Sequence, residues 1–140
     1  QVFNGTALKA CHKAEIIETA THDEIVRSFS GYDSEKRFIP YIEMHEFEAL
    51  LFSDTGILAE KIEIEVSQIL KIIEKFDNPE EINDDPAKAP SKRLGALTNG
   101  YRKVAMGKTV SETTGIQTIR SQCPHFDHWL TKLEERSLTV

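Results

Sequence analysis

The chain has 140 residues, 39% of them apolar and 29% charged, with a formal net charge of −6. That fits a single soluble globular domain with a real core. No apolar run approaches the ~20 residues of a membrane-spanning helix, and Gln1–Gly5 has neither the basic nor the apolar region of a signal peptide.

The first ~20 residues carry helix formers with Ile16, Ile17 and Ala20, and predict a helix. Thr21-His22-Asp23-Glu24 fits a capping box that would open a second helix through Ile25, Val26 and Phe29, stopped at Gly31. Tyr32 to Lys36 reads as a polar loop. Phe38 to Met44 is the strand candidate. Phe38, Pro40, Ile42 and Met44 fall on one face, and Ile39, Tyr41 and Glu43 on the other. Pro40 lacks an amide hydrogen, which puts that point at an edge, a bulge or the strand start. Helix is expected from about Glu46, where Phe47, Leu50 and Leu51 recur at helical spacing, and Asp54 can cap a further turn through Ala59.

Val66, Ile69, Leu70, Ile73 and Phe76 mark a clear amphipathic helix that Asp77-Asn78-Pro79 ends. Asn78 then caps a new turn with Pro79 at its first position. Asn83 to Ser91 is a loop with two prolines and two aspartates, and Ser91 is a candidate cap for a helix through Leu94 and Leu97. Gly100 and Gly107 punctuate the chain beyond it. Ile116 and Ile119 suggest another helix, and Pro124 opens the last, with a stripe of Phe126, Trp129, Leu130 and Leu133. One strand cannot make a sheet by itself, so this pattern places the partner strands elsewhere in the molecule.

Cys11 and Cys123 lie far apart and read as reduced thiols of a cytoplasmic protein, with a disulfide as the less favoured alternative. The charge is unevenly spread. From Lys88 to Arg120 there are seven basic side chains and one acid, Glu112. Such a segment can meet phosphate or nucleic acid, or it can simply balance the acidic remainder within the fold.

The stretch with the most chemistry is His45-Glu46-Phe47-Glu48. At a strand-to-helix turn its carboxylates could point together and hold Mg²⁺ or Mn²⁺. The plainer reading has Glu46 and Glu48 solvated in a first helical turn, where the helix dipole favours them. His125 and His128 lie one helical turn apart and could share a metal, although a polar helix face explains them as well. Gly107-Lys108-Thr109 is not a Walker-type loop, because Arg102 stands where its first glycine would be. Lys103 and Lys108 stay as individual phosphate contacts. Cys123, before Pro124, reads as a buried small residue rather than a reactive thiol.

Taken together, Arg37-Phe38-Ile39-Pro40-Tyr41-Ile42, His45 through Asp54, Asn78-Pro79-Glu80-Glu81-Ile82-Asn83-Asp84, Ala89 through Leu94, and Cys123-Pro124-His125-Phe126 with Trp129-Leu130 resemble a bacterial family of unassigned function. It is domain-of-unknown-function family 4276, and the resemblance runs from about Arg37 to Leu133. That family is grouped with Toprim-like domains, the mixed α/β metal-binding fold of topoisomerases, primases and OLD-type nucleases. Its genes often sit beside ATPase genes in phage-defence contexts.

The resemblance implies an α/β, Toprim-like fold and a metal-dependent nuclease, with Mg or Mn as cofactor. Toprim-type sites also use a glutamate and an Asp-x-Asp pair that would precede the Pro40-Tyr41-Ile42 strand. Gln1 to Lys36 contains no Asp-x-Asp and no convincing first strand to carry such a glutamate, so 1–140 would be the C-terminal portion of one such domain, with 1–36 a helical lead-in and 37–140 the matching region. On this view Glu46 and Glu48 hold the metal. His45 and Lys103 complete the catalytic set, and Lys92, Arg93 and Lys108 face phosphate. The competing implication is a non-catalytic module that binds or regulates an AAA- or ABC-type ATPase. Nucleic acid and a second copy of the chain are further partners to consider, and a membrane is not.

Overall fold

The computed structural model describes residues 8–83 and 85–137. Helical turns take up 73% of it, and no strand is found among the described residues. The α/β, Toprim-like class is therefore overturned, and with it the notion of a sheet completed by other chain.

Helix α1 spans Ala10–Ser28 without a break at Thr21. The Thr21 hydroxyl donates back to the Ile17 carbonyl at 2.7 Å, as a mid-helix threonine does, instead of capping a new helix. A 3-10 turn over Ser30–Tyr32 and a short α2, Ser34–Arg37, replace the expected polar loop.

Phe38 to Glu46 is half-buried chain outside any helix or ladder. Tyr41, Glu43 and His45 line one groove, but Phe38, Ile39 and Pro40 share another pocket, so the predicted two-faced alternation does not hold along the stretch. Among the described residues no strand lies beside it to form a ladder, Pro40 has no amide to give, and the Ile42 amide goes to the Glu18 carboxylate of α1 at 2.7 Å.

Next comes a 3-10 helix, Phe47–Ser53, where an α-helix was expected. Seven residues is long for this geometry. Its middle, Glu48 to Phe52, is buried, because the helices Thr55–Lys61, Pro90–Leu97, Lys103–Thr114 and Ile116–Gln122 and the turn Pro79–Glu81 all pack around it.

Asp54 caps α3, Thr55–Lys61, through the Ile57 amide at 2.9 Å, as the sequence predicted. The amphipathic helix α4, Val66–Ile73, buries Ile69. Asn78 accepts from the Glu80 amide and opens the 3-10 turn Pro79–Glu81, again as predicted. The next loop includes a 3-10 turn over Pro86–Lys88, capped by Asp85; Asp84 lies outside the described residues.

Helix α5 is Pro90–Leu97, and α6 is Lys103–Thr114, with Gly107 inside it and not at a break. Gly115, at φ 78°, turns the chain into α7, Ile116–Gln122. Pro124 opens α8, Pro124–Ser137, as expected. The core joins Leu51 and Phe52 to Leu58, Ile62, Ile69, Ile82, Leu94 and Val110. A smaller cluster holds Leu50, Ile119 and Cys123 beside Phe126. No helix among the described residues is long and apolar enough to cross a membrane.

Candidate functional site

Three helix starts are closed by carboxylates from distant chain. At a helix N-terminus the first amides have no intrahelical acceptor. Glu46 Oε2 accepts from the Ser91 amide at 2.8 Å, so α5 is capped by Glu46 and not by the Ser91 side chain. The 3-10 turn Pro79–Glu81 serves two more. Glu80 accepts from the His125 and Phe126 amides of α8, both at 2.9 Å, and Glu81 accepts from the Ala10 amide of α1 at 2.8 Å. Burial pushes the Glu80 carboxyl above its ordinary value, against the pull of the two amides. Glu80 and Glu81 were not singled out as site residues, and sequence spacing gives no signal for caps made across 45 residues or more.

The predicted constellation divides between His45 and the two glutamates. Glu46 and Glu48 turn toward Lys103, whose ammonium lies 3.6 Å from Glu46 and 3.2 Å from Glu48. Glu48 is fully buried, and neither of its oxygens has a hydrogen bond of good geometry. The Tyr101 hydroxyl close by is in the same state. Burial raises the Tyr101 pKa, and the negative charge of Glu48 adds to this. Contact with Glu48 raises Lys103. Burial alone would raise Glu46, but the Ser91 hydrogen bonds and Lys103 outweigh it and bring the carboxyl below its ordinary value.

His45 faces the other way. Tyr41, Glu43 and His45, alternate residues of the extended stretch, line one wall of a groove of about 480 Å³. Phe47, Leu50, Ser111 and Glu112 of α6, and Ile116, Ile119 and Phe126 line it as well. Phe47 and Ile116 stand about half exposed at the rim, at 50% and 49%. The Tyr41 hydroxyl donates to Glu43 Oε2 at 2.6 Å, and its ring stacks on those of His125 and Trp129. Burial raises Glu43 despite that hydrogen bond.

The remaining candidates are not gathered at either place. The Arg93 guanidinium donates to the Lys88 carbonyl and lies over the Phe76 ring, 5.4 Å from its centroid. Lys108 makes an exposed pair with Glu112, and Lys92 is exposed on α5. Arg120, in the basic segment, ties α7 to Asp127 and Glu134 of α8. His125 and His128 do not share a site: the His125 ring is buried against Glu18 at 2.9 Å, whereas His128 is exposed. Cys11 and Cys123 are both free thiols, and burial pushes Cys123 up to about 12, which makes it inert.

Mg²⁺ or Mn²⁺ needs several oxygen ligands converging on one point. No group of three His, Cys, Asp or Glu side chains among the described residues does this. Between Glu46 and Glu48 the compensating charge is the Lys103 ammonium, so these residues as arranged do not fit a metal.

No curated protein and no solved structure gives a significant match to the chain. The family model described as a domain of unknown function, DUF4276, matches residues 3–134. With nearly its whole length matched, the chain belongs to the DUF4276 family.

Proposed function

We propose that this domain is a non-catalytic binding module, and that its working surface is the groove between the Tyr41–His45 stretch and α6 to α8. The observation that carries this is the groove itself, with its aromatic and aliphatic walls and two half-exposed apolar residues at its rim. Exposed apolar surface gathered in one concave place is what a partner-binding site requires. Three of the charged residues that the sequence offers for catalysis or phosphate are engaged in the fold: Glu46 closes α5, Arg93 packs on Phe76, and Lys103 pairs with two carboxylates. The partner suggested by the family resemblance is an ATPase, on which the domain would dock in a phage-defence setting. Isothermal titration with an ATPase encoded beside a gene of this family tests this, using the wild type and Ile116→Glu. We expect the variant to lose at least about tenfold in affinity. Equal binding by the two proteins, or none by the wild type, overturns the reading.

A second reading is phosphodiester hydrolysis at Glu46, Glu48 and Lys103. In its favour stands the buried Glu48 carboxylate without hydrogen bonds, a costly arrangement of the kind found at functional sites. Against it stands the poor fit to a divalent metal. Glu48→Gln in the full chain, assayed for Mn²⁺-dependent DNA cleavage, decides the matter: activity lost in the variant supports hydrolysis, and undiminished activity removes it.

A further inference from the structure

We infer that the groove is shaped for a partner segment that inserts a lysine or arginine side chain, flanked by apolar ones, toward Glu43 and Glu112. This rests on the groove being the binding surface. The lining carries two carboxylates, and no Lys or Arg among the described residues lines it. The nearest cation to Glu112 is Lys108, 3.9 Å away in an exposed pair one helical turn apart, too weak an arrangement to satisfy it. Glu43 takes its hydrogen bond from a neutral donor, the Tyr41 hydroxyl, which leaves its charge uncompensated by that contact.

The walls suit the rest of such a segment. Phe47 and Phe126 offer aromatic faces, on which an ammonium or guanidinium is attracted and an aliphatic stem packs. At about 480 Å³ the groove has room for more than one side chain. An acidic occupant would bring like charges together, and a purely apolar one would cover Glu43 and Glu112 without bringing either a cation; both are penalised. Burial is the chief cause that raises the Glu43 carboxyl, and Glu80 adds to it, against the Tyr41 hydroxyl, His125 and the His45 backbone.

The test is an NMR titration of the ¹⁵N-labelled full chain with three capped peptides of equal apolar content: acetyl-Leu-Arg-Phe-amide, and the same peptide with Gln or Glu in place of Arg. The expected result is movement of the Phe47, Ser111 and Ile116 amide signals, with the Arg peptide bound at least about tenfold more tightly than the Glu peptide. Glu43→Gln and Glu112→Gln should each shrink that preference while leaving the Gln peptide unaffected. Glu112 is exposed, so its variant keeps the test valid even if Glu43→Gln disturbs the fold. Equal binding of all three peptides, or tighter binding of the Glu peptide, sinks the inference and leaves the groove reading standing. Groove signals unmoved by any peptide at millimolar concentration overturn both.

Discussion

Replacing Glu80 by alanine should destabilise the domain more than any other change to an acidic side chain that caps a helix. Glu80 is 5% exposed and its two oxygens take the His125 and Phe126 amides at 2.9 Å each. Alanine leaves both donors without an acceptor where water has little access. An orphaned buried donor costs about 1–3 kcal/mol, so the pair predicts a loss of roughly 2–5 kcal/mol. Glutamine keeps one oxygen but points an NH₂ group at the second amide, which predicts about half that loss. The assay is urea unfolding at neutral pH. Trp129 lies on α8, the helix that loses its cap, and is the chain's one tryptophan, so its fluorescence reports the affected region. A Glu80→Ala midpoint corresponding to less than about 0.5 kcal/mol, or glutamine costing as much as alanine, would refute the capping account.

Glu46→Gln should cost about 0.5–1 kcal/mol at neutral pH through the weakened α5 cap. Because the folded Glu46 carboxyl lies below its ordinary value of 4.5, its contribution is present above that value. It is lost as pH falls through the folded one, so urea midpoints of wild type and variant should converge in acid. Lys103→Met should cost about 1–2 kcal/mol, less than for a fully buried pair because the ammonium is 58% exposed. Adding Glu48→Gln should recover part of that loss, and a double-mutant cycle showing no coupling would contradict the pairing. Gly95→Ala, inside α5 with open space where the new methyl would go, should raise the urea midpoint by the equivalent of about 0.5–1 kcal/mol.

What the sequence revealed was mostly local. Asp54 and Asn78 cap their turns as read, because a cap needs only the next few residues. The α4 stripe and the proline start of α8 are equally short-range signals. The alternation read from Phe38 to Met44 marked chain that lies outside any helix, and Tyr41, Glu43 and His45 do line one groove, although Phe38, Ile39 and Pro40 share another pocket. It misled as to fold, because alternation records extended chain, whereas a strand also needs a neighbour with matching amides. The His45, Glu46 and Glu48 grouping was legible as a dense charge cluster. Its division was not: Glu46 and Glu48 go to Lys103 of α6, while His45 and Phe47 join the groove. The link of Glu46 and Glu48 to Lys103, and of Glu18 to His125, depends on tertiary placement that no spacing rule records.

The remote caps bear on how this domain comes to be folded. Helical proteins fold quickly when their contacts are local. Here α1 waits for a carboxylate 71 residues downstream, while α5 and α8 each wait for one 45 residues upstream. On the ribosome α1 would emerge with its first amides open, and it would close only after the Pro79–Glu81 turn had been synthesised. Excised peptides of these helices would be largely unstructured. A cut in the chain between Glu81 and Ser91 would leave α1 with its acceptor but part both α5 and α8 from theirs. A domain made of short helices thus acquires the all-or-none behaviour, and the slower assembly, more usual in proteins built from sheets.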